Sequence, residues 1–314
     1  MNEEILSKVF VPNLITDRNG ILLSENNLAY YTSAGTLYSL LKNKKLWLRS
    51  TMCMNDYQEI RYAANCVRRF MVENNLSMLN SFVKAISQII SLSENELRVN
   101  LEHILDDIVG GLYLHTYIMC FTEHDDKEFP DGNLQMFNSY GRCNGVCIIF
   151  DRDKLINLEL PIYKVRYFGE EKIKRELNDL IDRIEDNSCD LHNIASEKLL
   201  NYLYLFFINI IVTTKHPGFK QEKEWRLVVN DRLLRYSDGF KNSLREEVEC
   251  ISGVPQIIKK IDIKGYGNVL RKIILEPRYD MTAEALAISK LLKDELHIEK
   301  PLEIVRISDI PIRR

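Results

Sequence analysis

The chain has 314 residues, 46% hydrophobic and 28% charged, with 13 Gly and 8 Pro, which excludes a collagen-like chain, a disulfide mini-scaffold and a disordered tail protein. Lys and Arg total 42 against 45 Asp and Glu, a net charge of −3, so no global basic field drives nucleic-acid binding and any such contact needs a local patch. Met1-Asn2-Glu3-Glu4 is not the basic start of a signal peptide. The longest apolar run, 202–212, is about half of what a membrane helix needs and reads as a buried helix segment. Seven Cys, an odd number without a CxxC pair, fit a reducing cytoplasm.

Taken in chain order, residues 28–31 form a short apolar run, after which Thr32 and Ser33 can cap a helix that carries Leu37, Leu40 and Leu41. The basic stretch 42–45 suits that helix's C-terminus, and Leu46, Trp47 and Leu48 read as a short strand. Residues 57–108 are helical in period, with breaks near 74–77 and 91–93, and Ser93 stands at capping-box spacing from Glu96. Gly110 and Gly111 stop that block. Strand-like stretches follow at 112–122, 145–151 and 161–168, with a polar loop over 123–133. Residues 170–212 are mostly helical, interrupted around 187–189, and His216-Pro217-Gly218 is a turn. Strands at 222–229, 257–263 and 272–276, an amphipathic helix over 281–296 and a last strand at 303–307 complete the chain. Strands scattered among long helical stretches, without regular alternation, predict an α+β fold with a mainly antiparallel sheet.

Three stretches carry candidate chemistry. In 222–229, strand alternation puts Trp225, Leu227 and Val229 on one face and Glu222, Glu224 and Arg226 on the other. The charged face is expected to line a cleft or water, because burying those groups without partners is costly. Around 28–33, hydroxyls at a strand end beside a helix N-terminus suit a ribose or phosphate, although Thr and Ser are also ordinary helix caps. Thr122 and Glu123, then a polar loop leading to 136–141, are where a ligand lid could sit. The six His have no HxxxH or HExxH spacing, and no Walker loop, strand-linked GxGxxG or GxSxG occurs.

Together these stretches resemble a known family. Residues 28–50 resemble an opening "LYHYTS…LxSILxxxxLWLSS", Asn55-Asp56 matches the "FND" that follows, and 120–123 resemble "CFSE". Residues 136–150 resemble "MWSHYxxNxxGVCIGF", 215–228 resemble "K…W…EKEYRLV", and 272–278 resemble "EIILGPR". In that order, from Leu28 to Arg278, they are similar to the bacterial domain-of-unknown-function family 2971. Tyr30 stands where the opening has His, and Phe137 where the family has Trp.

The opening, with a late-strand Glu, also resembles the ADP-ribosyltransferases. That resemblance implies one domain over 1–314, a split, mainly antiparallel sheet of ADP-ribosyltransferase-like type, and helical insertions at about 57–108 and 170–212. It implies NAD as substrate, no metal, and Glu224 and Glu222 as catalytic residues. Glu224 would meet the nicotinamide ribose and Glu222 would deprotonate or orient the acceptor. Tyr30, Thr32, Ser33, Thr122, Tyr140 and Arg226 would bind the cofactor, with Arg226 either on the pyrophosphate or keeping Glu224 ionised. The function implied is that of a toxin or phage-defence effector modifying a macromolecule, nucleic acid or protein. The alternative is a catalytically inactive nucleotide- or nucleic-acid-binding sensor of the same fold. A regulatory or antitoxin protein, a homodimer, no membrane, a cytoplasmic location, and a basic stretch of Lys215, Lys220, Lys223 and Arg226 facing a phosphate backbone complete the expectation.

Overall fold

The computed structural model describes residues 2–13, 26–53, 57–111, 114–141, 144–158, 160–231, 244–251, 253–263, 265–278 and 280–311. Asn55 and Asp56, part of the family-like opening, lie outside the described residues, as does the start of the strand expected at 112. The strands are β1 (Asn27–Ser33), β2 (Lys45–Ser50), β3 (Thr116–His124), β4 (Gly145–Phe150), β5 (Ile162–Lys164), β6 (Arg166–Tyr167), β7 (Thr214–Lys215), β8 (Glu224–Asn230), β9 (Leu244–Ile251), β10 (Val254–Asp262), β11 (Leu270–Leu275) and β12 (Val305–Ile307). The helices are α1 (Asn2–Phe10), α2 (Ala34–Asn43), α3 (Tyr57–Ser87), α4 (Glu94–Gly110), α5 (Leu134–Tyr140), α6 (Arg152–Ile156), α7 (Glu170–Asp186), α8 (Ser188–Leu191), α9 (Ser196–Val212), α10 (Tyr266–Val269) and α11 (Thr282–Leu296).

The main sheet runs β12-β11-β4-β1-β3-β2-β10-β9, and β8 adds to β3 and carries β5. Its pairings are antiparallel except β11 with β12, while β6 and β7 form a separate parallel pair. The mainly antiparallel α+β expectation therefore holds at that level. Both faces are covered. Phe82, Leu180 and Phe207, from α3, α7 and α9, bury one face together with Ile118 and Val228, so the two long helical stretches pack in one layer. Trp47, Phe121, Trp225, Leu227 and Leu292 fill the other core. Double coverage explains why β4, with the sequence GVCIIF, is buried at every position and reads as one apolar run. A helix such as α9, apolar nearly all round, is likewise a core helix.

One irregularity positions the site. β1 pairs with β4 from Leu28 to Ser33, but with β3 only at Asn27, Leu28 and Ala29, opposite His124, Glu123 and Thr122. β2 takes up the same edge of β3 at Arg49, opposite Ile118. Between these contacts β1 and β3 part, and the sheet splits over residues 119–121.

Several local expectations change. α3 runs through 74–77 as one helix, where Leu76 takes φ 61° and marks the irregularity. The break at 91–93 holds, and Ser93 with Glu96 forms a full capping box. β8 begins at Glu224 rather than 222, because residues 217–222 form a 3-10 turn that Lys223 ends in the left-handed region at φ 45°. Glu222 therefore reaches the site from a turn and not by strand alternation.

Candidate functional site

Glu224 opens β8, where its backbone is fixed on both sides. Its N–H donates to the Tyr167 hydroxyl at 2.8 Å, and its carbonyl accepts from the Val165 N–H at 2.9 Å. Its side chain is buried among cations. Oε1 accepts from Arg226 Nε at 2.7 Å, while Oε2 accepts from Arg226 Nη2 at 3.2 Å and Lys215 Nζ at 3.1 Å. Burial alone would raise the Glu224 carboxyl, but the nearby Arg226 and Lys215 charges outweigh it and hold the group at about 2. The carboxylate is thus ionised across the physiological range.

Arg226 is 0% exposed, and its Nη1 donates to the Val212 carbonyl at the end of α9 at 2.7 Å. A cation there satisfies an orphan carbonyl of the helix end and favours the dipole. Helices cover this face of β8, so the expected cleft or solvent reaches Glu224 but not Arg226. Lys215, also fully buried, lies between Glu222 and Glu224 and over the Phe219 ring at 4.8 Å. Tyr140 donates to Glu222 Oε2 at 3.4 Å, and the Thr122 hydroxyl donates to the Glu222 carbonyl. One buried and one half-buried carboxylate thus meet two buried cations, an arrangement that costs heavily in desolvation unless every partner is present.

At the split in the sheet lies a cavity of about 140 Å³, close to the roughly 150 Å³ of a cavity that admits benzene. One ring-sized group fits. A whole dinucleotide exceeds that volume, so part of such a ligand would extend beyond this chamber. A second hollow of about 320 Å³ shares Tyr31, Thr122 and Met136 with it and is lined further by Lys220, Gln221 and Lys223.

Seven of the residues singled out from the sequence line the first cavity: Tyr30, Thr32 and Ser33 from β1, Thr122 from β3, Tyr140 from α5, and Glu222 and Glu224. Tyr30 and Thr32 share a side-chain hydrogen bond, and burial raises the Tyr30 phenol above its ordinary value. Ser33 accepts from the Thr36 N–H and so caps α2 as well. Arg226 stands behind Glu224 and does not line the cavity. The expected basic stretch does not form a patch: Lys215 and Arg226 are buried in ion pairs, and exposed Lys223 pairs with Glu128 at 3.4 Å.

Sequence reasoning passed over Trp47 and Arg49, which also line the cavity, and Lys215 as the tie between the two carboxylates. The short strand at 46–48 was visible, but nothing local says that it lies beside β3. Among the described residues no group of three or more His, Cys, Asp or Glu is placed to hold a metal ion, and no helix is long and apolar enough to cross a membrane.

Residues 136–227 match the family model described as a protein of unknown function, DUF2971. Over that stretch the chain is similar to that family. The DUF2971 match runs from α5 to β8 and holds Tyr140, Lys215, Glu222, Glu224 and Arg226, whereas Tyr30, Thr32, Arg49 and Thr122 precede it. No curated protein and no solved structure matches the chain.

Proposed function

We propose that this protein is an ADP-ribosyltransferase-like enzyme that cleaves the nicotinamide–ribose bond of NAD and passes ADP-ribose to a macromolecular acceptor. The observation that carries the reading is the convergence of Thr32, Tyr140, Glu222 and Glu224, remote in sequence, on one ring-sized chamber where the sheet splits. The split lends support to the ADP-ribosyltransferase-like form of the sheet. A toxin or phage-defence role rests on the same resemblance.

In the reaction, the C1′–N bond breaks and its electron pair goes to the nicotinamide nitrogen, leaving an oxocarbenium-like C1′. Glu224, already ionised and held in place, offsets that charge without reorganising. The acceptor forms the new bond at C1′ and gives up its proton to Glu222. Arg226 and Lys215 serve Glu224 by keeping it charged, and Thr32 and Tyr30 hold the ring-bearing end of the substrate.

A second reading has its own support. Arg226 and Lys215 already bond both oxygens of Glu224, and Tyr30 stands where His is found in the family-like opening, which favours a nucleotide-binding sensor without turnover. Nicotinamide release from NAD separates the two. The enzymatic reading expects release by the wild type and a fall of about 10²–10³-fold in Glu224→Gln. Because that variant leaves Arg226 without its carboxylate, its folded fraction is read by circular dichroism at the assay temperature. Glu222→Gln, at a less buried position, is the milder companion. Binding of NAD without release supports the sensor.

A further inference from the structure

The carboxylates occupy one end of the cavity, and the other end has the opposite character. Arg49 is the one cation among the described residues that line the chamber. Its Nε and Nη2 donate to Gln256 Oε1 at 3.2 and 3.0 Å, and Nη2 also donates to the Cys53 carbonyl. Both partners are neutral, and Arg49 forms no ion pair with a carboxylate among the described residues. A guanidinium oriented by an amide and a backbone carbonyl, with no carboxylate partner among the described residues, is set up to receive an anion.

Two residues earlier on β2, Trp47 lines the same chamber. It is 7% exposed, and its indole Nε1 is buried without a hydrogen-bond partner. An orphan buried donor is costly unless a ligand completes it. The register offsets the two ends along β3. Arg49 stands opposite Ile118 and Glu224 opposite Thr122, four residues along β3, or roughly 13–14 Å of strand.

We infer that Arg49, with the Trp47 indole N–H, binds an oxyanion of the ligand, so that the site takes a bipolar molecule with its anionic group remote from the group that meets Glu224. This rests on the proposed function for the identity of the nucleotide, but not for the presence of the anion site. Arg226 is buried behind Glu224 and leaves that role open. A phosphate ester and a carboxylate present the same chemistry to a guanidinium, and a phosphate-bearing nucleotide fits the proposed reaction.

Calorimetry on the full chain tests it with three probes: NAD, nicotinamide riboside, which keeps the ring and ribose but has no phosphate, and inorganic pyrophosphate. The wild type is expected to bind NAD at least tenfold more tightly than the riboside, and to bind pyrophosphate. Arg49→Ala should lower NAD and pyrophosphate affinity tenfold or more and leave the riboside unchanged. Arg49→Lys should restore part of the loss, and Trp47→Phe should cost several-fold. Unchanged NAD binding in Arg49→Ala, an equal loss for NAD and riboside, or no pyrophosphate binding by the wild type each overturns the anion site. Arg49-dependent pyrophosphate binding without NAD turnover keeps the anion site and removes the enzymatic function. NAD turnover with affinities independent of Arg49 does the reverse.

Discussion

Arg226 and Lys215 do for Glu224 what water does for a carboxylate at a surface, and they do it inside the fold. Replacing Arg226 by Met would leave a buried carboxylate with Lys215 as its remaining charge partner, and removing one member of a buried pair costs about 3–5 kcal/mol. Urea unfolding of Arg226→Met is expected to show a loss of that order, and a loss below about 1 kcal/mol would mean that the pair is dispensable. The same cluster sets a pH dependence. The folded Glu224 carboxyl lies near 2, below its ordinary 4.5, so its stabilising contribution is complete above about pH 4.5 and disappears as the pH falls toward 2. The stability difference between wild type and Glu224→Gln should therefore shrink as the pH drops below about 4.5. A difference that stays flat down to about pH 3 would assign the stabilisation to something other than ionisation.

At the scale of elements, α5 delivers Tyr140 to the cavity because β4 starts with no side chain in its way. A Cβ at Gly145 would lie 2.6 Å from Glu276 Oε2 and 3.1 Å from the Phe137 ring, and one at Gly141 would lie 2.8 Å from the Gly145 Cα. Gly145→Ala should therefore push α5 off β4, at about 1–3 kcal/mol, and weaken NAD binding through Tyr140. A thermal melt and a titration read the two effects, and an unshifted melt would contradict this packing. Elements with a local signature were legible in the sequence: β4 from its unbroken apolar run, α4 from the Ser93–Glu96 box, and α2 from Ser33 and the leucines. β9 was not, because its glutamates answer lysines on β2 and β10, such as Lys260 with Glu247 and Glu249, and its own sequence shows no apolar alternation. Nor was the start of β8, where a lysine and not a glycine takes the left-handed turn. Arg49 was missed for a further reason: its role depends on which strand lies beside β3, and that pairing joins residues far apart in the chain.

Across the whole molecule, the site is a consequence of topology. β1, β3 and β8 come from three separated parts of the chain, and α2, α5 and the 217–222 turn close in on the gap that their pairing leaves. The helical layer of α3, α7 and α9 covers the back of Glu224 and Arg226 and so buries the carboxylate, which the Arg226 and Lys215 charges keep ionised. That division of labour, with Arg226 and Lys215 setting the charge state, the helices covering them and the split sheet setting access, is what the proposed chemistry needs. It is tested most directly by following nicotinamide release from NAD with purified wild type and with Glu224→Gln whose folded fraction has been measured. The account predicts steady release by the wild type and a rate per folded molecule lower by about two to three orders of magnitude in the variant. Equal rates in the two proteins, or no release by a wild type that is folded and binds NAD, would contradict it.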